Sequence, residues 1–212
     1  MANGLRARLE ATGADLAHLA DRVRALIAAT VVAQAPREAL VAAAVAVDQA
    51  VAALAPYVPR GRSPRYPEPG PFTTPNDLMP FDPVIGRLSP LAPPLEFTWA
   101  DGRAIGRVRF GTAYEGPPGC VHGGVLAACF DQVLNVANLM AATPGPTARL
   151  SLRFRKPTPL DADLRFEGWQ ERVEGKRVHA RGHLLHGDTV TVEAEGLFVR
   201  VPTERVLRLL EP

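Results

Sequence analysis

Proline divides this chain. Most of its 21 prolines fall between Pro56 and Pro94, in stretches such as PRGRSPRYPEPGPFTTP. A residue with a fixed φ and no backbone N–H neither continues a helix nor sits in a central strand, so the segments on either side of this stretch must be built separately. On its N-terminal side, Leu5, Leu9, Thr12, Leu16, Leu19, Val23 and Leu26 recur at alternating steps of four and three, one stripe of a helix. Leu40, Ala44, Val47, Val51 and Leu54 repeat the spacing, and Gln34-Ala35-Pro36-Arg37 breaks the two runs with a proline suited to a first helical turn. The pattern predicts an antiparallel helical hairpin over residues 1–56, serving as a packing surface, a proline-rich linker over 57–82 and a second domain over 83–212.

Beyond Pro94 the hydrophobic period falls to two. LEFTWA and RAIGRVRF flank Asp101-Gly102, a hairpin turn. A helix is predicted from about Gly123 to Met140, then strands over Thr147–Lys156, Ala162–Glu174, Lys176–His186 and Thr189–Val201, with Glu174-Gly175 and Gly187-Asp188 at the turns between the last three. The order is hairpin, one helix, antiparallel meander, an α+β class.

Several classes of function are disfavoured at once. A formal charge of +2 supplies no broad basic face for nucleic acid. The longest apolar run, Ala39 to Val47, stops at Asp48, short of the roughly 20 residues that span a bilayer, and MANGLRARLE has no apolar signal region. The expectation is a cytoplasmic protein without membrane or nucleic-acid partners. Cys120 and Cys129 have neither disulfide-scaffold density nor zinc-knuckle spacing and read as reduced, buried thiols. His179, His183 and His186 lie on a late strand without a matched carboxylate, so no metal site is expected.

The chemistry concentrates around one carboxylate. Between Gly116 and Ala148 the only formally charged side chain is Asp131, inside VLAACFDQVLNVANLM. A lone acid in so apolar a helix is costly unless it is hydrogen-bonded or used. Asn135 and Asn138 fall four and seven residues later, on one predicted face with Gly124 and Ala128. Leading into this helix is Pro117-Pro118-Gly119-Cys120-Val121-His122-Gly123-Gly124. Glycines at a helix start leave N–H groups open at the positive end of the macrodipole, where a developing oxyanion can be held. Asp131 lies eight residues past Gly123, and eight residues of helix rise about 12 Å. The two cannot grip one carbonyl from a single chain, so a site using both needs a two-fold partner.

In YEGPPGCVHGGVLAACFDQVLNVA, TARLSLRFRKPTPL and VTVEAEGLFVRV, the chain resembles the hotdog-fold acyl-CoA thioesterases, particularly the branch similar to phenylacetate-pathway thioesterases, over roughly Leu91 to Val201. The resemblance implies a hotdog fold, a long helix wrapped by an antiparallel sheet, in a homodimer or dimer of dimers that hydrolyses an acyl-CoA without metal or redox cofactor. It implies Asp131 as general base or nucleophile and the Gly123 N–H of the partner subunit as oxyanion donor. His122 would shape the oxyanion pocket, Thr147 would hydrogen-bond the carboxylate or attacking water, and Asn135 would support it, with Gly124 beside the substrate. In TARLSLRFRK, Leu150, Leu152 and Phe154 alternate with the arginines, so the apolar face should cover the central helix. Arg153, Arg155 and Lys156 are candidates for the phosphates of coenzyme A. The alternatives are an enoyl-thioester hydratase or dehydratase, whose motif with histidine shortly after the acid is absent, and a non-catalytic acyl-CoA-binding module.

Overall fold

The structure is a computed structural model and describes residues 4–61, 66–67, 74–93 and 95–202. Six strands form one antiparallel sheet in the order β1-β2-β4-β5-β6-β3: β1 Glu96–Ala100, β2 Arg103–Val108, β3 Thr147–Phe154, β4 Leu164–Glu174, β5 Arg177–His186 and β6 Thr189–Val199. Three helices precede β1: α1 Leu5–Val32, α2 Arg37–Leu54 and the single turn α3 Pro75–Leu78. The fourth, α4 Gly123–Met140, connects β2 to β3. This is the expected α+β arrangement. The strands fall where alternation predicts them, with β3, β4 and β6 ending or starting two residues inside the predicted limits and β5 starting one inside.

α4 lies on the sheet with Leu126, Cys129, Phe130, Val133, Leu134, Val136 and Ala137 buried. Phe130 meets Phe166 of β4 edge-on, ring centroids 4.9 Å apart. The close approach depends on missing side chains. A Cβ at Gly168 in β4 would stand 2.7 Å from Val133 Cγ1, one at Gly182 in β5 would stand 3.1 Å from Leu134 Cδ2, and one at Gly196 in β6 would stand 2.9 Å from Leu134 Cδ1. Gly168 and Gly182 are direct cross-strand partners. The three positions form a trough in which Val133 and Leu134 seat, and burial of such side chains stabilises the fold by about 1.5–3 kcal/mol each.

The N-terminal region departs from expectation. Both helices form, but they do not pack on each other as a hairpin: no residue of α2 is buried, and α1 from Ala25 onward is exposed. The facing positions an antiparallel hairpin would cover, such as Leu26 and Leu40, remain open. Instead the first six turns of α1 dock on the sheet domain. The docked stripe is rotated from the predicted one: Leu5, Ala17 and Ala20 are buried, whereas Leu19 and Leu26 are not. Arg24 ends the docked part, donating from Nε to Ala92 O at 3.1 Å and from one terminal nitrogen to Arg87 O at 2.9 Å and Ser89 O at 2.8 Å. These carbonyls lack strand partners, and a guanidinium fork satisfies several at once.

The predicted linker is also too long, because Thr74 onward belongs to the domain. Thr74 and Asp77 make a reciprocal capping box around α3. Asn76 donates to Ile85 O at 2.8 Å and Leu95 O at 2.9 Å, and accepts from Phe97 N at 2.9 Å, which ties the segment to β1. Met79 and Ile85 join the core. Finally, Asp48 ends an apolar run but not a helix: the 21-residue stretch Arg37–Tyr57 contains an 18-residue window of mean hydropathy 1.8, long and apolar enough by length and composition to cross a membrane. The core helix α4 meets the same criterion.

Candidate active site

The turn before α4 is assembled from backbone hydrogen bonds. Gly116 N donates to Cys120 O at 2.9 Å, Gly119 N to the Glu115 carboxylate at 2.7 Å, Val121 N to Thr158 O at 2.9 Å and His122 N to Tyr114 O at 2.9 Å. Gly116 permits the tight closure, since a Cβ there would stand 2.7 Å from His122 Cα. His122 is the N-cap of α4, and its Nδ1 accepts from Gly124 N at 3.0 Å. An accepting Nδ1 leaves the neutral ring's proton on Nε2. Val125 N and Leu126 N both reach His122 O. Of the first four N–H groups of the helix, only that of Gly123 has no acceptor among the described residues. His122 therefore occupies the Gly124 amide and leaves the Gly123 amide available.

Farther along the helix, Asp131 is half-buried on an outward face with Gly124, Ala128 and Asn135. Its Oδ1 accepts from the Thr147 hydroxyl at 2.6 Å. The alternation of β3 alone does not produce this contact, because it sets Thr147 on the same face as Arg149, Ser151 and Arg153. The register with β6 supplies the correction: Thr147 pairs with Phe198 and Arg149 with Leu197, so Ala148 is an extra residue. A one-residue bulge reverses the facing of the residues before it, and the hydroxyl is turned toward α4. Asn138, expected on the Asp131 face, is instead fully buried at the end of α4, where the chain folds back and Thr143 N donates to Asn138 O at 2.9 Å.

The structure thus brings Asp131 and Thr147 together and holds Gly123 apart from them. α4 is unbroken between the two groups, so the helical rise keeps them about 12 Å apart in one chain. Gly123 belongs to a different neighbourhood, an apolar-walled cleft of about 460 Å³ lined in part by Pro117, Cys120, Leu126, Phe154, Arg155 and Lys156. Phe154 lies on the α4-facing side of β3, as alternation predicts, opposite Val192 of β6, but it is not buried there. It is 56% exposed, and its ring would stand 3.2 Å from a Cβ at Gly123. Leu150 and Leu152 do pack against the core. Arg155 is held by Glu193 at 2.8 Å, and that guanidinium keeps the Glu193 carboxyl below its ordinary range. Lys156 has no ion-pair partner among the described residues, and Arg153 lies away from the cleft lining. His183 meets Trp169 edge-on, and His179 stands 3.5 Å from Glu174.

Both cysteines are free thiols, but only Cys129 is buried; Cys120 is partly exposed at the cleft. Burial pushes the Cys129 thiol up to about 12, and reactivity requires the thiolate. Ellman's reagent at pH 8 should titrate one thiol per folded chain and two after denaturation. Rapid reaction of both thiols in the folded protein would contradict the burial.

The family model of the thioesterase superfamily matches residues 118–195, from the turn before α4 into β6. A crystal structure described as a thioesterase superfamily protein is 32% identical, covers 87% of this chain and 94% of its own, and superposes with a TM-score of 0.77. Residues 83–212 alone are too few for that coverage, so the likeness reaches into the N-terminal helices. The human acyl-coenzyme A thioesterase THEM5 is 28% identical over 96 residues, 44% of this chain and 39% of its own length. The Xenopus laevis acyl-coenzyme A thioesterase THEM4 is 28% identical over 104 residues, 48% of this chain and 47% of its own. The matches to these curated relatives span less than half of each relative's length.

Proposed function

Because the chain belongs to the thioesterase superfamily, we propose that it hydrolyses an acyl-CoA thioester to the free acid and CoA, at a site shared by two copies. The observation that carries this reading is the pairing of Asp131 with the Thr147 hydroxyl at 2.6 Å on the same helix that leaves the Gly123 N–H open. In the proposed site, Asp131 takes a proton from water, whose oxygen bonds to the thioester carbon. The carbonyl oxygen becomes an oxyanion held by the N–H from Gly123 of the partner subunit. Collapse re-forms the carbonyl, breaks the C–S bond and releases the thiol with the proton that Asp131 held. Direct attack by the Asp131 carboxylate, with subsequent hydrolysis of the anhydride, uses the same placement.

The open edge of β3 supports a two-copy site. Among the described residues β3 ends the sheet and pairs only with β6, and an edge strand invites a second copy. Joining two chains along it brings a second α4 beside the first. The acyl or pantetheine arm would run along the walls formed by Leu126 and Phe154, with Lys156, and Arg155 if it releases Glu193, at the CoA phosphates. Gly124 lines the face from Asp131 toward the helix start, and Asn135 stands one turn beyond Asp131 toward the helix end. We further place the protein in the phenylacetate-like branch and in the cytoplasm, as a dimer or dimer of dimers.

Thiol release across aryl, short, medium and long acyl-CoAs, with an acyl carrier protein thioester alongside, tests the reading. Release of free thiol with stoichiometric acid is expected. Loss of an enoyl absorbance without thiol release would make the protein a hydratase, and saturable binding without either reaction would make it a binding module.

A further inference from the structure

α2 is apolar around nearly its whole circumference and buries nothing. Its large side chains stand open, Leu40 at 51%, Val51 at 62% and Leu54 at 47% exposure. The exposed half of α1 continues the surface with Leu26, Ile27, Val31 and Val32. A helix apolar on all sides belongs inside something, and a bilayer is the first candidate by hydropathy.

The tethering of the chain argues against a span. Arg24 fastens the end of docked α1 to the loop at Arg87–Ala92, and the Thr74–Asp77 box and Asn76 fasten the returning chain to the same domain. One crossing by α2 would leave these two anchors on opposite sides of the membrane. A second crossing would fall to residues 58–73, which hold five prolines and cannot satisfy their backbone in lipid.

The sequence of α2 fits another helix instead. Leu40, Ala44, Val47, Val51 and Leu54 keep a strict heptad seam. Asp48 and Gln49 fall beside and behind the seam at outward positions. Four of its five positions are self-complementary: in an antiparallel pair Leu40 faces Val51 of the partner subunit and Ala44 faces Val47 of the partner subunit, large against large outside and small against large between, while Leu54 falls opposite Arg37 of the partner subunit, whose aliphatic stem can cover it. An isologous two-fold contact requires such self-complementarity. We propose that α2 is an assembly helix that pairs antiparallel with α2 of a second copy of this chain. The pairing is independent of the hydrolytic chemistry and uses a surface remote in sequence from β3.

The test uses the full chain with Leu40→p-benzoylphenylalanine, mixed with an isotope-labelled second population and irradiated. Cross-links should join the probe to the neighbourhood of Val51 on the other isotopic chain. Val47→Glu with Val51→Glu should lower their yield at least tenfold, while Val47→Leu with Val51→Leu should retain it. Probe adducts confined to the same chain or to other surfaces would overturn the pairing. So would adducts with phosphatidylcholine–phosphatidylglycerol vesicles that displace the protein cross-link. The readout needs no substrate, so absent thiol release with intact cross-links would remove the hydrolase reading alone, and misplaced cross-links with normal turnover would remove this one alone.

Discussion

Asp131→Asn should lower kcat for acyl-CoA hydrolysis by about 10² or more, the scale of general-base loss, with little change in KM or thermal stability. The amide keeps the shape, and its oxygen can still accept from the Thr147 hydroxyl that now sits 2.6 Å from Asp131 Oδ1, so the helix and the bulged strand lose nothing they depend on. What disappears is the basic oxygen. Steady-state thiol release together with a thermal melt checks both halves. Near-wild-type turnover on a good substrate would remove Asp131 from the chemistry, and a collapsed melting temperature would make its role structural.

Mixing two dead proteins should restore activity. Gly123→Val fills the cleft beside Phe154, where even a Cβ would stand 3.2 Å from the ring, and Asp131→Asn lacks the base. In a heterodimer of the two, one site receives an intact Asp131 from one chain and an intact Gly123 from the other, while the second site receives both defects. Random exchange makes about half of all dimers mixed, so activity should return to about a quarter of wild type under two-fold symmetry. Native mass spectrometry establishes the mixed species. Heterodimers that form and remain inactive would show that the two groups do not meet across subunits.

Much of this architecture was legible because its signals are local. α4 begins at Gly123 and ends at Met140 as its pattern predicts, since a glycine pair opens a periodic apolar run and a glycine-proline stretch closes it. The hairpin at Asp101-Gly102 is declared by two residues that accept positive φ. Other features depend on partners that periodicity does not name. A heptad stripe on α2 states that a face needs cover but not which chain supplies it, and α1, the nearest apolar stripe in sequence, does not. Alternation in β3 puts Thr147 among the arginines; only pairing with β6 exposes Ala148 as the additional residue that turns the hydroxyl around. Likewise Glu115 and Gly116, which shape the turn before α4, carry no spacing that distinguishes them in EGPPG.

The glycine trough under α4 sets the order in which this sequence can drift. At Gly168 the nearest obstacle to a methyl group is Val133 Cγ1 at 2.7 Å, and at Gly196 the obstacles are Phe198 Cε2 at 2.5 Å and Leu134 Cδ1 at 2.9 Å. These are side chains that a prior reduction on the helix or the neighbouring strand position removes, although at Gly168 the Val133 carbonyl oxygen also stands at 3.1 Å and the helix must give by a few tenths of an ångström. At Gly182 the obstacle is the carbonyl of Glu167 at 2.7 Å, a backbone atom that no substitution shortens. Alanine is thus conditionally open at Gly168 and Gly196, after Val133 in one case or Phe198 and Leu134 in the other has shrunk, and closed at Gly182 along every single-residue path. Descendants of this fold acquire such changes neighbour first and glycine second, an epistatic order fixed by which atoms already occupy the space.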